Sequence, residues 1–408
     1  MKILLINNFF GNYGGAEIMM HETASILKSK GHEVFFFATK SKNTQDYEYS
    51  KYFPDYIHYS SLPKIDFLFH IWKSFYNPDA EKKLDLFIKK IKPDVAHCNN
   101  ITYDLTPSVL NACYRNNIPV VMTLHDATLM CPSMTMRIKS GDYCKNELCV
   151  KGNPIHCLIN KCFFGNFMKS AAASAEFLFR KIHRLYDKIQ LFICPSQAIL
   201  SLAARSGINR GKLVHLNNFV DDSYLKKQPV YSNKGYFLYV GRLAEEKGLN
   251  YLLEAMSKLP RHIGLHIVGT GPDEANLKDY AVGLELSNVV FTGFKTGKEL
   301  EDEYKGCIAT ILPCNWFEIF GLTILESFAF GKPVIASHIG GIPEIVENEW
   351  DGITFEPKNV DALAEAIEKL YCNNDLAVEM GKNGRTKAEI VYNSEIYYAK
   401  LIRIYESL

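Results

Sequence analysis

Residues 313–336 read PCNWFEIFGLTILESFAFGKPVIA, and this stretch decides the fold expected for the second half of the chain. A polar loop that carries Glu318 precedes Gly321, where a short apolar helix is predicted to begin. The helix carries Glu326 and is predicted to stop at Gly331, before a strand rich in β-branched residues. The unpaired N–H groups in the first turn of such a helix can hold a phosphate. One carboxylate before that turn and a second one inside the helix indicate a nucleotide-sugar site.

A second segment, residues 236–248 (YFLYVGRLAEEKG), supports this interpretation. A buried strand is predicted to end at Val240, and a helical pattern begins at Leu249. Arg242 and Lys247 lie on the connection between the two. Two cations at the end of a strand can neutralise a diphosphate, and arginine adds directional donors.

The composition is that of a globular protein with two domains of ordinary size. The chain has 408 residues, of which 47% are hydrophobic and 22% charged. Its net charge of +1 argues against a nucleic-acid-binding protein. The apolar start of the chain is too short for a signal peptide, so we expect a cytoplasmic protein. Contact with the inner face of the cytoplasmic membrane is compatible with that location. The eleven cysteines are therefore expected to be free thiols or metal ligands before disulfides.

Predicted strands and helices alternate along the chain, and the pattern restarts at Tyr236. This predicts an α/β fold of two Rossmann-like, doubly wound domains that face a central cleft. The expected domains are residues 1–218 and 219–393, with the join near 217–234. A helix at about 394–408 is expected to pack back on the first domain.

With these residues in place, the chain resembles glycosyltransferase family 4, the retaining nucleotide-sugar transferases of the GT-B fold. The family's two glutamates, separated by seven residues, map onto Glu318 and Glu326. Its diphosphate-binding cations map onto Arg242 and Lys247, and its sugar-contacting histidine maps onto His125. The resemblance implies that Glu318 and His125 are catalytic.

The resemblance also implies donor contacts at glycine-rich turns, in loops near the base and at the helix start. These residues are Gly14, Gly15, Gly269, Gly293, Phe294, Ile319, Phe320, Gly321, Leu322 and Thr323.

Loss of a nucleoside diphosphate leaves negative charge on the departing phosphate, and the enzyme must stabilise it. Arg242, Lys247 and the helix start are the candidates, and together they would make a divalent metal unnecessary. Glu318 is expected to hold sugar hydroxyls and Glu326 the ribose hydroxyls; ordinary surface carboxylates are the alternative. The resemblance implies same-face attack, with the leaving phosphate taking the acceptor proton.

A cysteine-rich insert occupies about residues 131–162, beside the presumed acceptor site. A structural zinc, free thiols and disulfides all remain open for it, because the spacings are wider than those of common zinc motifs. Its cysteines are Cys131, Cys144, Cys149, Cys157 and Cys162.

The segment 163–188 mixes aromatic and basic residues and is predicted to be one partly amphipathic helix. Such a helix can contact an anionic membrane surface where a lipid-linked acceptor lies. An ordinary domain helix with a solvated basic face is the alternative.

These observations predict a hexosyltransferase that moves a hexose from a nucleotide sugar, with UDP as the expected nucleotide, to a hydroxyl of a saccharide. By resemblance, the acceptor is lipid-linked and the setting is surface polysaccharide biosynthesis. Two alternatives stay open at this point. One is a UDP-sugar 2-epimerase of the same fold, and the other is a non-catalytic sugar-nucleotide-binding subunit.

Overall fold

The chain folds into two compact units. A computed structural model describes residues 1–11, 14–41, 44, 47–56, 71–102, 104–144 and 147–408. The first unit comprises Met1–Lys139, Asn146–Leu216 and Tyr398–Leu408, and the second comprises Ser140–Lys145 and Asn217–Tyr397. A short piece of the cysteine-rich insert thus belongs to the second unit, whereas the sequence placed the whole insert in the first. Lys145 and Asn146, which the insert also contains, lie outside the described residues.

The first unit is built on a six-stranded parallel sheet in the order β2-β1-β3-β4-β5-β6. Its inner strands are short apolar runs buried within the unit, as is typical of parallel sheets, whereas its edge strands are only partly buried. They are β1 Lys2–Ile6, β2 Glu33–Phe37, β3 Val95–Cys98, β4 Val120–Thr123, β5 Leu191–Cys194 and β6 Leu213–His215. The described helices are α1 Gly15–Ser29, α2 Pro78–Ile91, α3 Val109–Arg115, α4 Ile155–Ile159, α5 Phe167–Ile182 and α6 Gln197–Arg205.

The second unit has its own six-stranded parallel sheet, in the order β12-β11-β10-β7-β8-β9. Its strands are β7 Tyr236–Val240, β8 Gly264–Val268, β9 Val289–Gly293, β10 Cys307–Leu312, β11 Val334–Ser337 and β12 Gly352–Phe355. Its helices are α7 Asp222–Leu225, α8 Leu249–Ser257, α9 Glu274–Gly283, α10 Gly297–Gly306, α11 Leu322–Ala329, α12 Ile342–Ile345, α13 Val360–Cys372 and α14 Asn374–Val391. The predicted α/β class with two Rossmann-like sheets is confirmed.

The last helix, α15 Ser394–Glu406, begins in the second unit and ends in the first. Within the first unit, the Tyr405 hydroxyl lies 2.7 Å from Nδ1 of His97, and the Tyr398 hydroxyl lies 2.9 Å from Nε2 of His32. These two contacts join the end of the chain to the first sheet and its neighbourhood.

The predicted helix over 163–188 is shorter in the structure. Phe164 has a φ of 53° and Arg184 a φ of 50°, and such left-handed residues interrupt a helix at both ends. Asn166 starts α5, since its side chain accepts a hydrogen bond from the Lys169 N–H at 3.0 Å. Among the described residues, no helix combines the length and the hydrophobicity needed to cross a bilayer.

Candidate active site

The predicted donor residues of the second unit lie where the strand order of its sheet reverses. β7 and β10 are neighbours in the sheet, although β8 and β9 lie between them in the sequence. In open parallel sheets, ligands bind outside the carboxyl ends of the strands at such a reversal. Arg242 follows β7, and the loop that carries Glu318 follows β10. The predicted cation and carboxylate therefore start from the two strands that flank this point.

Close backbone approaches hold the loops after β7, β8 and β9 side by side. Gly269 has a φ of 137°, and a Cβ there would come within 1.9 Å of the carbonyl oxygen of Gly241. The Gly269 N–H also donates to the carbonyl of Gly293 at 2.8 Å. A residue larger than glycine would push these loops apart. Phe294, the next residue, is 70% exposed and can contact a flat ring.

Lys247 and Glu318 come together directly. A 3-10 turn at Glu245–Lys247 places Nζ of Lys247 2.9 Å from Oε2 of Glu318 and 4.8 Å from the centre of the Trp316 ring. The backbone N–H of Asn315 donates to this turn at 3.1 Å and ties it to the loop after β10. The residues predicted to hold the phosphate and the sugar therefore share one site.

Arg242 is the exposed cation of the predicted pair. The Tyr239 hydroxyl donates to the Arg242 carbonyl at 2.9 Å and fixes the backbone there. Within the described part of the chain, the Arg242 guanidinium makes no ion pair. Its donors are thus available for an anionic ligand.

Glu318 accepts several hydrogen bonds besides the ion pair. The Trp316 indole N–H donates to Oε2 at 3.1 Å, and the Cys314 thiol lies 3.7 Å from the same atom. Burial raises the pKa of Glu318, but the charge of Lys247 and these donors outweigh it, and the pKa ends below its ordinary value. Glu318 is therefore an ionised carboxylate at neutral pH.

The backbone of Glu318 is held from the other side by a turn that the sequence did not single out. The Gly341 N–H donates to the Glu318 carbonyl at 2.8 Å. Gly340 has a φ of 60°, and a Cβ there would come within 2.1 Å of the same carbonyl oxygen. Glycine is needed at this position for both reasons.

The start of α11 has the form expected of an anion site. Gly321 caps the helix, and glycine has no side chain to accept a hydrogen bond from the first turn. The N–H groups of Leu322 and Thr323 therefore lie at the positive end of the helix without an internal partner. The side chains of Ile319 and Phe320 are buried, so these two predicted donor residues can contribute only backbone groups.

Glu326 lies one turn inside α11 and has a partner of its own. The Tyr304 hydroxyl donates to Oε2 of Glu326 at 2.5 Å. The Tyr304 ring is fully buried and stacks on Phe330 with centroids 5.2 Å apart. Burial raises the pKa of Glu326, and the nearby Asp221 carboxylate raises it further, against the Tyr304 hydrogen bond.

His125 follows β4 in the first unit and is held by one strong contact. Its Nε2 donates to Oδ1 of Asn99, which follows β3, at 2.8 Å. Burial lowers the pKa of His125 to about 4, so the imidazole is neutral at pH 7. A neutral ring that donates from Nε2 keeps Nδ1 as an acceptor.

Gly14 and Gly15 open α1, also in the first unit. Gly14 has a φ of −164°, which is ordinary extended backbone. The nearest atom to a Cβ at Gly14 is a carboxylate oxygen of Glu17, at 3.2 Å. The buried Glu17 in turn accepts from the Asn7 amide at 3.0 Å, and Asn7 accepts from the Asn100 N–H at 2.8 Å. These glycines therefore lie beside a polar network that follows β1 and β3.

The cysteines of the insert are free in the structure. Within the first unit, the side chains of Cys157 and Cys162 are hydrogen-bonded, and burial raises the pKa of Cys131. In the described ranges, no group of three or more His, Cys, Asp or Glu side chains is arranged to hold a metal ion. The structural zinc stays a prediction.

The partners that the sequence reasoning missed include Trp316, Tyr304 and Asn99. Trp316 stands two residues before Glu318, so the quoted stretch already contained that signal. Asn99 directly follows a strand predicted to be buried, and polar residues at that position mark the functional edge of a parallel sheet. Tyr304 lies on α10, and no local pattern connects it with Glu326.

Two family models match the chain, one in each half. The model described as "Glycosyltransferase Family 4" matches residues 13–224, which is more than half of the chain. The model described as "Glycosyl transferases group 1" matches residues 220–387.

Curated relatives are similar over different lengths. An uncharacterised glycosyltransferase of Methanocaldococcus jannaschii is 28% identical over 311 residues, which cover 74% of this chain and 72% of that protein. The O-antigen chain mannosyltransferase C of Escherichia coli is 33% identical over 177 residues. That match covers 42% of this chain and about half of the enzyme, 47%.

Among solved structures, the Anabaena protein HepE in complex with UDP has a TM-score of 0.72 at 18% identity, with 100% of both chains covered. HepE has also been solved in complex with UDP-glucose. At this identity the likeness shows a shared fold, that of GT-B glycosyltransferases. The family model, by contrast, decides the family: the chain is a glycosyltransferase and belongs to glycosyltransferase family 4.

Proposed function

We propose that the protein is a retaining hexosyltransferase that moves a hexose from a UDP-sugar to a hydroxyl of a saccharide acceptor. The observation that carries the proposal is the 2.9 Å pairing of Lys247 with Glu318 at the strand reversal of the second sheet. A diphosphate bound at Lys247 would have its attached sugar beside an ionised carboxylate. This is the arrangement that glycosyl transfer from a nucleotide sugar needs.

Arg242, Lys247 and the first turn of α11 are the proposed diphosphate site. The charge that develops on the leaving diphosphate in the transition state would meet two fixed cations and a helix N-terminus. These groups supply the positive charge that a divalent metal supplies elsewhere, so we propose transfer without a metal cofactor. Activity that survives a metal chelator supports this, and its loss contradicts it.

Glu318 is proposed to hold hydroxyls of the transferred sugar and to orient its ring. Its ionised state suits it to accept hydrogen bonds from hydroxyl groups. Glu326 is proposed to accept the ribose hydroxyls, with the Tyr304 hydrogen bond fixing its rotamer. Phe294, exposed next to Gly293, is proposed to lie near the base.

His125 is the second proposed catalytic residue. Its neutral ring, oriented by Asn99, presents Nδ1 as an acceptor for a sugar hydroxyl. In the proposed same-face attack, the leaving phosphate takes the acceptor proton, so His125 need not be the base.

The UDP complexes of HepE support the choice of nucleotide. The similarity to the O-antigen chain mannosyltransferase supports an acceptor in surface polysaccharide assembly, and we propose that this acceptor is lipid-linked. Both points are proposals for this chain.

A panel of UDP-, GDP- and ADP-sugars tests the donor assignment. A ligand that binds only the folded protein raises its melting temperature, and at 100 times its dissociation constant it stabilises by about 2.7 kcal/mol. We expect UDP-sugars to give the largest shift and Arg242→Ala to reduce it. If only GDP-sugars raise the melting temperature, the assignment of UDP is wrong, although the site would still bind a nucleotide sugar.

Turnover then separates the proposed transferase from its alternatives. With a UDP-sugar and a saccharide acceptor, we expect a new glycoside and free UDP. Conversion of the UDP-sugar to its 2-epimer without an acceptor would show an epimerase. Tight UDP binding without turnover for any acceptor tested would show a non-catalytic subunit.

A further inference from the structure

Helix α5 has hydroxyl residues on its buried face and hydrocarbon side chains on its exposed face. Its face toward the first unit carries Ser170 and Ser174, which are buried. The Ser170 hydroxyl accepts from the Phe163 N–H at 3.0 Å, and the Ser174 hydroxyl donates to the Pro154 carbonyl at 3.2 Å. A surface helix normally buries its hydrocarbon side chains and exposes its polar ones. In α5, the buried positions are Ser170, Ser174, Phe177 and Arg180, so Phe177 is the one large hydrocarbon side chain among them.

The opposite face of α5 is an apolar stripe. Met168, Leu178 and Ile182 lie on it, with Ala171 and Ala175 between them, at the three- and four-residue spacing that aligns side chains along one face. Met168 and Ile182 are each 73% exposed. From Met168 to Ile182 the stripe is about 21 Å long at 1.5 Å per residue.

The chain just before α5 extends this apolar surface. Phe164 is 79% exposed, and Ile159, at the end of α4, is 65% exposed. We call the set the α4–α5 surface: Ile159, Phe164, Phe167, Met168, Leu178 and Ile182. Contiguous exposed hydrocarbon of this kind marks an interaction site.

The charge around the α4–α5 surface has one sign. Residues 148–175 contain three lysines and neither aspartate nor glutamate. Lys151, Lys161 and Lys169 are exposed, and none of them is ion-paired to a described carboxylate. Lys169 Nζ lies 5.2 Å from the centre of the Phe164 ring, so cation and hydrocarbon occupy the same patch. Glu176, the first acidic residue after this stretch, pairs with the buried Arg180 at 2.7 Å.

We infer that the α4–α5 surface docks on an anionic lipid bilayer. Hydrocarbon side chains would enter the boundary between head groups and acyl chains, and the lysines would meet lipid phosphates. The charge pattern favours this occupant over a protein partner, whose surface normally mixes both signs. Trp72 supports the assignment: it is 50% exposed, and nearby Phe75 contacts Phe179 of α5 with centroids 5.7 Å apart.

Vesicle cosedimentation of the full chain tests this inference. Vesicles of phosphatidylcholine alone are compared with vesicles that contain about 30% phosphatidylglycerol, at low and high salt. We expect binding to the anionic vesicles that weakens with salt. Met168→Ser with Ile182→Ser should weaken it about tenfold or more, and so should Lys161→Glu with Lys169→Glu.

The matched control is Val282→Ser with Ile390→Ser, which removes two hydrocarbon side chains that are 78% and 63% exposed on the second unit. It should bind vesicles like the unmodified protein. Equal melting temperatures of all variants show that folding is intact. UDP binding and turnover of a soluble acceptor should not change in any of these variants. A failure of the membrane-docking inference can therefore be distinguished from a failure of the proposed function.

Absence of vesicle binding by the unmodified protein would overturn the inference, and so would unchanged binding of both surface variants. Self-association without lipid that Met168→Ser with Ile182→Ser abolishes would also overturn it, because the occupant would then be a second copy of the chain.

Discussion

Glu318 and Glu326 have pKa values displaced in opposite directions, and their partners explain why. Glu318 has the cation of Lys247 at 2.9 Å, which lowers its pKa against the effect of burial. Glu326 has a neutral phenol, so burial prevails and its pKa rises. The two carboxylates thus suit different partners, which agrees with the separate sugar and ribose roles proposed for them.

Tyr304→Phe tests the ribose role through a positioning residue. The change removes the hydrogen bond that fixes Glu326 and leaves the buried ring in place. We expect UDP affinity to fall about fivefold to tenfold, as for loss of one hydrogen bond of about 1–1.4 kcal/mol. The preference for UDP over 2′-deoxy-UDP should shrink as well, and calorimetric titration measures both.

Tyr236→Phe is the matched control for Tyr304→Phe. It also removes one hydroxyl from a buried ring, and that hydroxyl donates to the Glu303 carbonyl at 3.0 Å, outside the site. Its discrimination between the two nucleotides should equal that of the unmodified protein. If Tyr304→Phe also keeps the full preference for UDP over 2′-deoxy-UDP, Glu326 does not bind the ribose hydroxyls.

At the residue scale, the sequence identified side chains through local spacing. Arg242 and Lys247 stand on the short connection after a strand, and Glu318 and Glu326 flank a helix start, so a linear pattern contains them. Contacts that join distant parts of the chain, such as Tyr304 with Glu326, depend on how helices pack. The sequence around Tyr304 contains no pattern that predicts its contact with Glu326.

At the element scale, α11 is positioned by the close approach of α14. A Cβ at Gly381 would come within 2.1 Å of the carbonyl oxygen of Gly331, which follows α11. A Cβ at Gly384, one turn later, would come within 2.4 Å of the Phe328 ring. The two glycines let the backbones of these elements approach closely, and α11 carries both Glu326 and the proposed anion site.

Gly381→Ala is expected to destabilise the protein although alanine is the better helix former. Overpacking costs about 1–3 kcal/mol, which exceeds the gain of about 1 kcal/mol from propensity. Urea unfolding measures the difference, and UDP affinity should fall with it as α11 shifts. Gly283→Ala is the control: nothing lies within 4 Å of a Cβ there, so it should be neutral or stabilising. A stable Gly381→Ala protein would contradict the packing account.

Helix starts and stops were predictable where a residue type dictates the backbone. Gly321 caps α11, and Gly331 follows its end, as the sequence predicted. The helix predicted over 163–188 is longer than the observed one. Phe164 and Arg184 adopt left-handed conformations, which phenylalanine and arginine rarely do and which the sequence therefore does not predict. The strands β6 and β12 were missed, since each is a short strand at the edge of its sheet and has a weak apolar pattern.

At the scale of the whole molecule, His97 joins the last helix, α15, to the first sheet. It lies on β3, with Nδ1 2.7 Å from the Tyr405 hydroxyl and Nε2 2.7 Å from the Thr123 hydroxyl. Burial, with a smaller contribution from the charge of His125, lowers the pKa of His97 to about 3. His97 is therefore neutral in the folded protein throughout the physiological range.

Stability is expected to fall as the pH falls from 6.5 towards 4. The unfolded chain binds protons at His97 and His125 near pH 6.5, whereas the folded chain does not until about pH 3 and 4. Each histidine thus contributes fully above pH 6.5 and loses about 1.4 kcal/mol per pH unit below it. Histidine-ring NMR at pH 5, with His97→Gln and His125→Gln for assignment, should show both rings neutral. Titration of both near pH 6.5 would contradict the burial argument.

The restart of the alternating pattern at Tyr236 was sufficient to predict two parallel sheets. The order of the strands was not, because parallel strands are joined by helices that can pass to either side. Only the structure shows that β7 and β10 are neighbours, and this adjacency brings Lys247 to Glu318.

The central claim is that Arg242 and the start of α11 bind a diphosphate while Glu318 acts on the sugar. Calorimetric titration of UDP, with transfer measured on the same samples, tests it most directly. Arg242→Ala should weaken UDP binding about tenfold to a hundredfold, as for loss of a charged hydrogen bond, and Lys258→Ala, an exposed cation paired with Asp361, should not. Glu318→Gln should keep UDP affinity and lose transfer by orders of magnitude. Unchanged UDP binding in Arg242→Ala together with normal turnover in Glu318→Gln would contradict the account.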